Sequence, residues 1–295
     1  MRQPFGSIFK LTVAPARSWL SLGPSWAALA GVFSTGHTEI NLAGLLQLLS
    51  LWVLVDPILG ALWELSVQQG LWRSLTQAQL PSPAKRGFYL PYAQPGSVAG
   101  QVVLRVRRYR QWWRERYWPE RGDQFIAFGL GAGLALLISL SLNPTLFWLT
   151  LLALGLILLA GQTQADLAAA EGGRLQSIVQ LLLPWVMGAA VWSSLTPVSL
   201  ALAVCYWVTY LGGLRMLGGH HRAEVLFFLG QIAALLLLLA YHLLPGAAIL
   251  GVLFVTQQII KTKFSQPSEF LLKAQPYLVF SLLTAGLSLG SLLNV

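Results

Sequence analysis

Only ten acidic side chains occur in this chain of 295 residues, and two of them, Asp56 and Glu64, interrupt a long apolar run. Ionisable groups in an apolar helix are costly, which makes each a functional candidate. Their eight-residue spacing puts both on nearly the same helix face, about 12 Å apart along the axis. That is too far for both to hold one metal ion, and they form no His-and-carboxylate set of the kind transition metals favour. Pro57 follows Asp56, which reads as a cap at a helix break. Glu64 falls near the end of the run, at a membrane interface. The next stretch, SVQQGLWRSLTQAQLPSPAKRG, carries Gln68, Gln69, Arg73, Lys85 and Arg86 and no acid. A second polar cluster, GGLRMLGGHHRAEV, holds Arg215, His220, His221, Arg222 and Glu224. Successive side chains on a helix diverge by about 100°, so the two histidines are poor co-ligands and read as structural or interfacial. His37 and His242, in polar turns, are candidates for a partner contact. Asp166 and Glu171 in ADLAAAEGGR fit helix capping and dipole pairing. Cys205 lies in an apolar run with no base nearby and reads as a small buried residue. The chain has no nucleotide-binding glycine loop, zinc-ligand spacing or serine-nucleophile elbow.

The elements that must position these groups are membrane spans. The chain is 56% hydrophobic and 10% charged, against about 25% charged for a soluble domain. A bilayer core of about 30 Å needs roughly 20 apolar residues as helix. Nine segments qualify, near 18–35, 42–66, 123–142, 144–161, 176–195, 197–214, 223–243, 246–262 and 275–293. Asn143-Pro144, Thr196-Pro197 and Pro245-Gly246 read as hairpin turns between them, because proline ends one helix and starts the next. GLGAG at 129–133 and YLGGLRMLGG at 210–219 offer small residues for close helix packing. The N-terminal stretch lacks the compact apolar region of a signal peptide and reads as an interfacial lead-in. With the N-terminus in the cytoplasm, strict alternation places all nineteen Lys and Arg on the cytoplasmic side. The expected fold is therefore all-α, a single polytopic membrane domain over 1–295, N-in and C-out.

A long cytoplasmic loop, 67–122, separates the second and third spans. Its first half is proline-rich. Its second half predicts an amphipathic helix near 98–118, with Val102, Val106, Tyr109, Trp113 and Tyr117 on one face. Arg107, Arg110 and Arg114 lie on the other, and Arg105, Arg108, Trp112 and Trp118 add to a basic and aromatic surface suited to the headgroup layer. Pro119 and Gly122 are expected to end this helix. Its direct tether to a span argues against nucleic acid as its partner.

Nine spans with large cytoplasmic loops after the second and sixth resemble the UbiA-type membrane prenyltransferases. LTVAPARSWLSLGPSWAALAGVFSTG looks like that family's first span, nearest to the chlorophyll-synthase branch, and LVDPILGALWEL like its second. The resemblance implies two aspartate-rich loops holding magnesium against an isoprenyl diphosphate. The first maps to Val67–Leu75, where Val67, Gln68, Leu71 and Leu75 stand in place of Asn and Asp. The second maps to Gly212–Arg222, which holds no acid. The resemblance thus implies a UbiA-like bundle without the metal-dependent transfer. Such a protein would bind membrane lipids, an isoprenoid quinone, a carotenoid or a phytylated pigment, or serve as a subunit among other membrane proteins. The alternative is a working prenyltransferase joining an isoprenyl diphosphate to an aromatic or tetrapyrrole acceptor, with the cations holding the diphosphate; magnesium enters only in that case. A nine-span transporter is a third reading. A bacterial-type cytoplasmic membrane is the expected location.

Overall fold

Long apolar runs bounded by capping residues become helices because no other conformation satisfies its backbone within one segment in hydrocarbon. The computed structural model describes residues 23–36, 41–72, 97–163, 172–192, 195–220 and 222–293. Among them there are helices and turns and no strand. The helices are α1 (Gly23–Phe33), α2 (Leu42–Val67), α3 (Val98–Trp112), α4 (Trp118–Leu142), α5 (Pro144–Thr163), α6 (Gly172–Ser177), α7 (Leu183–Ala190), α8 (Pro197–Leu217), α9 (Ala223–Ala240), α10 (Leu244–Lys263) and α11 (Pro267–Leu293). A π-helical turn, Ile178–Leu182, joins α6 to α7 without a break. Seven of these helices, α2, α4, α5 and α8 to α11, are long and apolar enough to cross a membrane. The first and fifth expected positions are also helical, as α1 and as the α6–α7 run.

The turns follow their sequence chemistry. Asn41 caps α2 by accepting from the Gly44 N–H at 2.7 Å. The Asn143 side chain accepts from the Thr145 N–H at 2.9 Å, and Thr196 accepts from the Ser199 N–H at 3.1 Å. Each cap satisfies an orphan donor at a helix start, and in α5 and α8 proline occupies the first turn. Between α9 and α10 the chain reverses at His242, whose φ is 58°.

Three apolar clusters pack the bundle, the smallest of them around Phe227 and Phe270 where α8, α9 and α11 meet. Of the larger two, one joins α2, α4 and α5 around Leu54, Ile58, Leu62, Leu146 and Ile157. The other joins α1, α7 and α8 to α11 around Trp185, Leu202, Tyr206 and Leu238. Helix α1 packs against α7 and α11 at backbone distance. A Cβ at Gly31 would lie 2.9 Å from the Trp185 carbonyl carbon, and one at Gly188 would lie 2.9 Å from that of Ala28. Glycine at both places lets two backbones touch, the usual route to association where lipid supplies no hydrophobic drive. Helices α8 and α9 use the same device, since a Cβ at Gly212 would lie 2.7 Å from the Phe227 Cα. The GLGAG stretch behaves otherwise. Gly129 and Gly133 face open space, and of the three only Gly131 abuts a neighbour, Leu62. Nearby, Ser34, Ser199 and Trp185 form a buried chain, with Ser34 Oγ 2.7 Å from Ser199 Oγ and the Trp185 indole N–H donating to Ser199 at 3.0 Å.

The surface helix and the third span differ from the sequence reading. Pro119 and Gly122 do not end a helix. From α3 the chain passes through a π-helical turn, Trp113–Tyr117, straight into α4, with Pro119 in the first turn of α4. Proline is tolerated there because its missing N–H would find no α-helical partner across the π turn.

Candidate functional site

The groups singled out from sequence fall in three places. Asp56 sits half-buried in a π-helical turn, Leu54–Ile58, inside an unbroken α2. It caps no helix break, since the π turn absorbs Pro57, and its carboxylate accepts instead from the Ser25 hydroxyl on α1. Glu64 is exposed and begins a second π turn, Glu64–Gln68. Asp56 is thus held against α1 while Glu64 stands exposed near the end of α2.

After α2 the chain folds back on itself. Gly70, at φ 63°, follows Gln69, whose N–H donates to the Glu64 carbonyl at 3.0 Å. A left-handed glycine here ends the helix without a Cβ penalty. The first turns of α4 hold this segment. Arg121 donates to the Gln69 carbonyl at 3.0 Å, and Gln124 donates to the Gln69 side chain at 2.9 Å. The Tyr117 hydroxyl donates to the Leu71 carbonyl at 3.2 Å, and Trp72 meets Phe125 and Phe128 edge-on. Leu71 is fully buried in the α2–α4–α5 core. It therefore does not occupy a position from which a carboxylate could face a ligand. Arg73, Lys85, Arg86 and His221 lie outside the described residues, as do His37, Leu75, Asp166 and Glu171.

Arg215, His220 and Arg222 do come together. They line an open groove of about 540 Å³ at the α8–α9 turn, with Val225 and Leu226 as its apolar side. Residues 212–217 belong to α8 rather than to a loop, because Gly212 is buried against α9. The turn proper is short, and the His220 N–H closes it by donating to the Arg215 carbonyl at 3.1 Å. The Arg215 Nε is buried without a partner. The nearest acid in the sequence, Glu224, is ion-paired with Lys261, whose Nζ also lies 5.7 and 5.8 Å from the Phe228 and Phe270 ring centroids. The groove is thus cationic. Its donors suit a phosphate or carboxylate and not a magnesium ion, which needs oxygen ligands. Among the described residues no three His, Cys, Asp or Glu side chains gather in a way that could hold a metal.

A second cavity was not legible in the sequence. It lies half-open between α1, α8 and α11, has a volume of about 50 Å³, and is walled by Trp26, Tyr206, Tyr210, Gln275, Leu278 and Leu282. Its polar groups are fixed from behind. The Tyr210 hydroxyl donates to Gln180 at 2.9 Å, and the Tyr206 and Ser281 hydroxyls are 2.7 Å apart. Tyr206 and Tyr210 are one helical turn apart on α8, the one local signal available; which helices face them is a tertiary fact. The basic and aromatic helix also sorts its residues. Arg105, Arg107, Arg110, Arg114 and Trp118 are exposed, Arg108 and Trp113 are half-buried, and Trp112 turns inward against Tyr117 at a ring distance of 5.1 Å. The described geometry is that of a polytopic helical bundle with one cationic groove and one aromatic-walled cavity. No family model, curated protein or solved structure matches the chain.

Proposed function

We propose that this chain is a UbiA-like nine-span protein of a bacterial-type cytoplasmic membrane, N-in and C-out. In this reading it binds an isoprenoid lipid, quinone, carotenoid or phytylated pigment and serves a membrane complex as a subunit, without metal-dependent prenyl transfer. The observation that carries the reading is the cavity between α1, α8 and α11. Its lining is mostly apolar and aromatic with a few oriented polar groups, the usual make-up of a small-molecule site. At about 50 Å³ it admits a ring edge or a methyl-branched chain end, with the remainder of the ligand lying along the helix faces. Fully buried Leu71 and the acid-free groove at Arg215, His220 and Arg222 support a role other than magnesium-assisted transfer.

The test is mild extraction from native membranes followed by mass spectrometry of every co-purifying lipid, pigment and protein. A near-stoichiometric isoprenoid is expected, lost when Leu278→Trp fills the cavity in a protein of unchanged thermal stability. Purification without any isoprenoid, or retention of one in the filled variant, would sink the reading.

The groove itself favours one second reading, a prenyltransferase in which Arg215 and Arg222 hold the diphosphate directly through charge-assisted hydrogen bonds. That activity requires diphosphate release from an isoprenyl diphosphate in the presence of an aromatic or tetrapyrrole acceptor. Absence of release across a broad panel, with and without magnesium, removes it.

A further inference from the structure

Helix α3 carries charge and apolar surface that neither the cavity nor the groove uses. Val98, Val102, Val106 and Tyr109 fall at i, i+4, i+8 and i+11, which forms one stripe along a helix. All four are exposed, Val98 by 81%, Val102 by 55%, Val106 by 60% and Tyr109 by 42%. Of the residues of α3, Gly100 and Trp112 are the buried ones. Arg105 and Arg108 flank the stripe on one side, Arg107, Arg110 and Arg114 on the other, and no acid occurs between Val98 and Arg114. A helix of 15 residues with three β-branched side chains on one face is marginal in water without something to pack on.

We propose that the headgroup layer of an anionic bilayer is what covers this stripe, with Val98, Val102 and Val106 at the boundary with the acyl chains and the flanking arginines on lipid phosphates. Three observations favour a lipid surface over a protein. The helix has the apolar stripe and arginine-rich flanks of interfacial helices, and its uniform positive charge matches an anionic leaflet. It runs without interruption through Trp113–Tyr117 into α4, one of the helices able to span the membrane, so its C-terminal end begins at the interface. Around that junction the Trp113 ring packs against those of Tyr109, Tyr117 and Trp118, the residue types that gather at the level of lipid headgroups. The inference is independent of whether the protein binds an isoprenoid.

The experiment places a nitroxide at Val102→Cys in full-length protein with Cys205→Ser. The protein is reconstituted in nanodiscs of phosphatidylcholine alone or with about a third phosphatidylglycerol, enough to give a strongly negative surface. Collisional access to oxygen is compared with access to a water-soluble nickel chelate. A label at Leu130→Cys, on the exposed face of α4, reports correct insertion in every sample. The expected result is a several-fold rise in the oxygen-to-nickel ratio at position 102 when the anionic lipid is present. Arg105→Gln, Arg107→Gln, Arg108→Gln and Arg110→Gln together should abolish that rise while leaving position 130 unchanged. A label that stays water-accessible in both kinds of disc overturns the proposal. So does equal protection in both kinds of disc, which would mean that the stripe is covered without the anionic lipid.

Discussion

Replacing Gly188 by alanine tests the packing of the central helices more sharply than any other single change. The added Cβ would lie 2.9 Å from the Ala28 carbonyl carbon and 3.1 Å from its Cα, closer still to the carbonyl oxygen, all of them backbone atoms of α1. A side chain could swing away; a helix backbone can only move as a body, and α1 is held on its far side by α11. There a Cβ at Gly286 would meet the Ala30 carbonyl carbon at 3.1 Å. Overpacking of this kind costs about 1–3 kcal/mol, and the unyielding neighbour puts the cost at the upper end. Alanine also gains about 1 kcal/mol of helix propensity over glycine, leaving a net loss of roughly 2 kcal/mol. Gly129→Ala and Gly133→Ala provide the control, because a Cβ there meets nothing within 4 Å. Those variants keep the propensity gain without the clash. Unfolding by sodium dodecyl sulfate titration in mixed micelles, followed by tryptophan fluorescence, separates the two classes. Gly31→Ala should resemble Gly188→Ala. The double variant should cost less than the sum, since one widening of the α1–α7 gap relieves both contacts. If Gly188→Ala is as stable as the parent while Gly133→Ala is not, the assignment of α1 to the centre of the bundle is wrong.

Three further outcomes follow from the same structure. Ser199→Ala leaves the buried Trp185 indole N–H without its acceptor and should cost about 1–3 kcal/mol in the same titration, whereas Thr196→Ser should be nearly neutral. Placing aspartates at Gln68, Leu71 and Leu75 should destabilise the fold rather than create magnesium affinity, because Leu71 is fully buried in an apolar core. Thermal unfolding and magnesium titration of that triple variant, set beside Gln68→Asp alone, decide the point. Finally, single cysteines at Gly219 and Gln266 should react with a membrane-impermeant maleimide only from the cytoplasmic side. Cysteines at Asn143 and Thr196 should react only from the other, and any exchange of sides would break the nine-span N-in reading.

The sequence determined by itself where helices form. Each apolar run is helical because hydrocarbon leaves the backbone no other partner; Asn143 and Thr196 mark turns through cap chemistry that acts over two or three residues, and Pro245 marks one by starting the first turn of α10. Val102, Val106 and Tyr109 of the exposed stripe were likewise visible in the spacing, since a helix face is a local property, whereas Tyr117, expected on the same face, is buried across the π turn and Trp113 is half-buried. Which groups meet across the bundle was decided by tertiary structure. Gln68 and Leu71 read alike as neighbours in a polar loop, yet Leu71 is drawn into the core because the chain turns back at Gly70 onto α4. Asp56 looks like a cap and instead reaches α1, because a π turn, which depends on packing more than on propensity, absorbs Pro57 and leaves α2 unbroken there. GLGAG and Gly31 are equally small in the sequence. Only the placement of α1 against α7 makes Gly31 a point of backbone contact, while Gly129 and Gly133 face outward. The cavity wall of Trp26, Tyr206 and Gln275 comes from three helices far apart in the chain, and its assembly rests on contacts that no local pattern encodes.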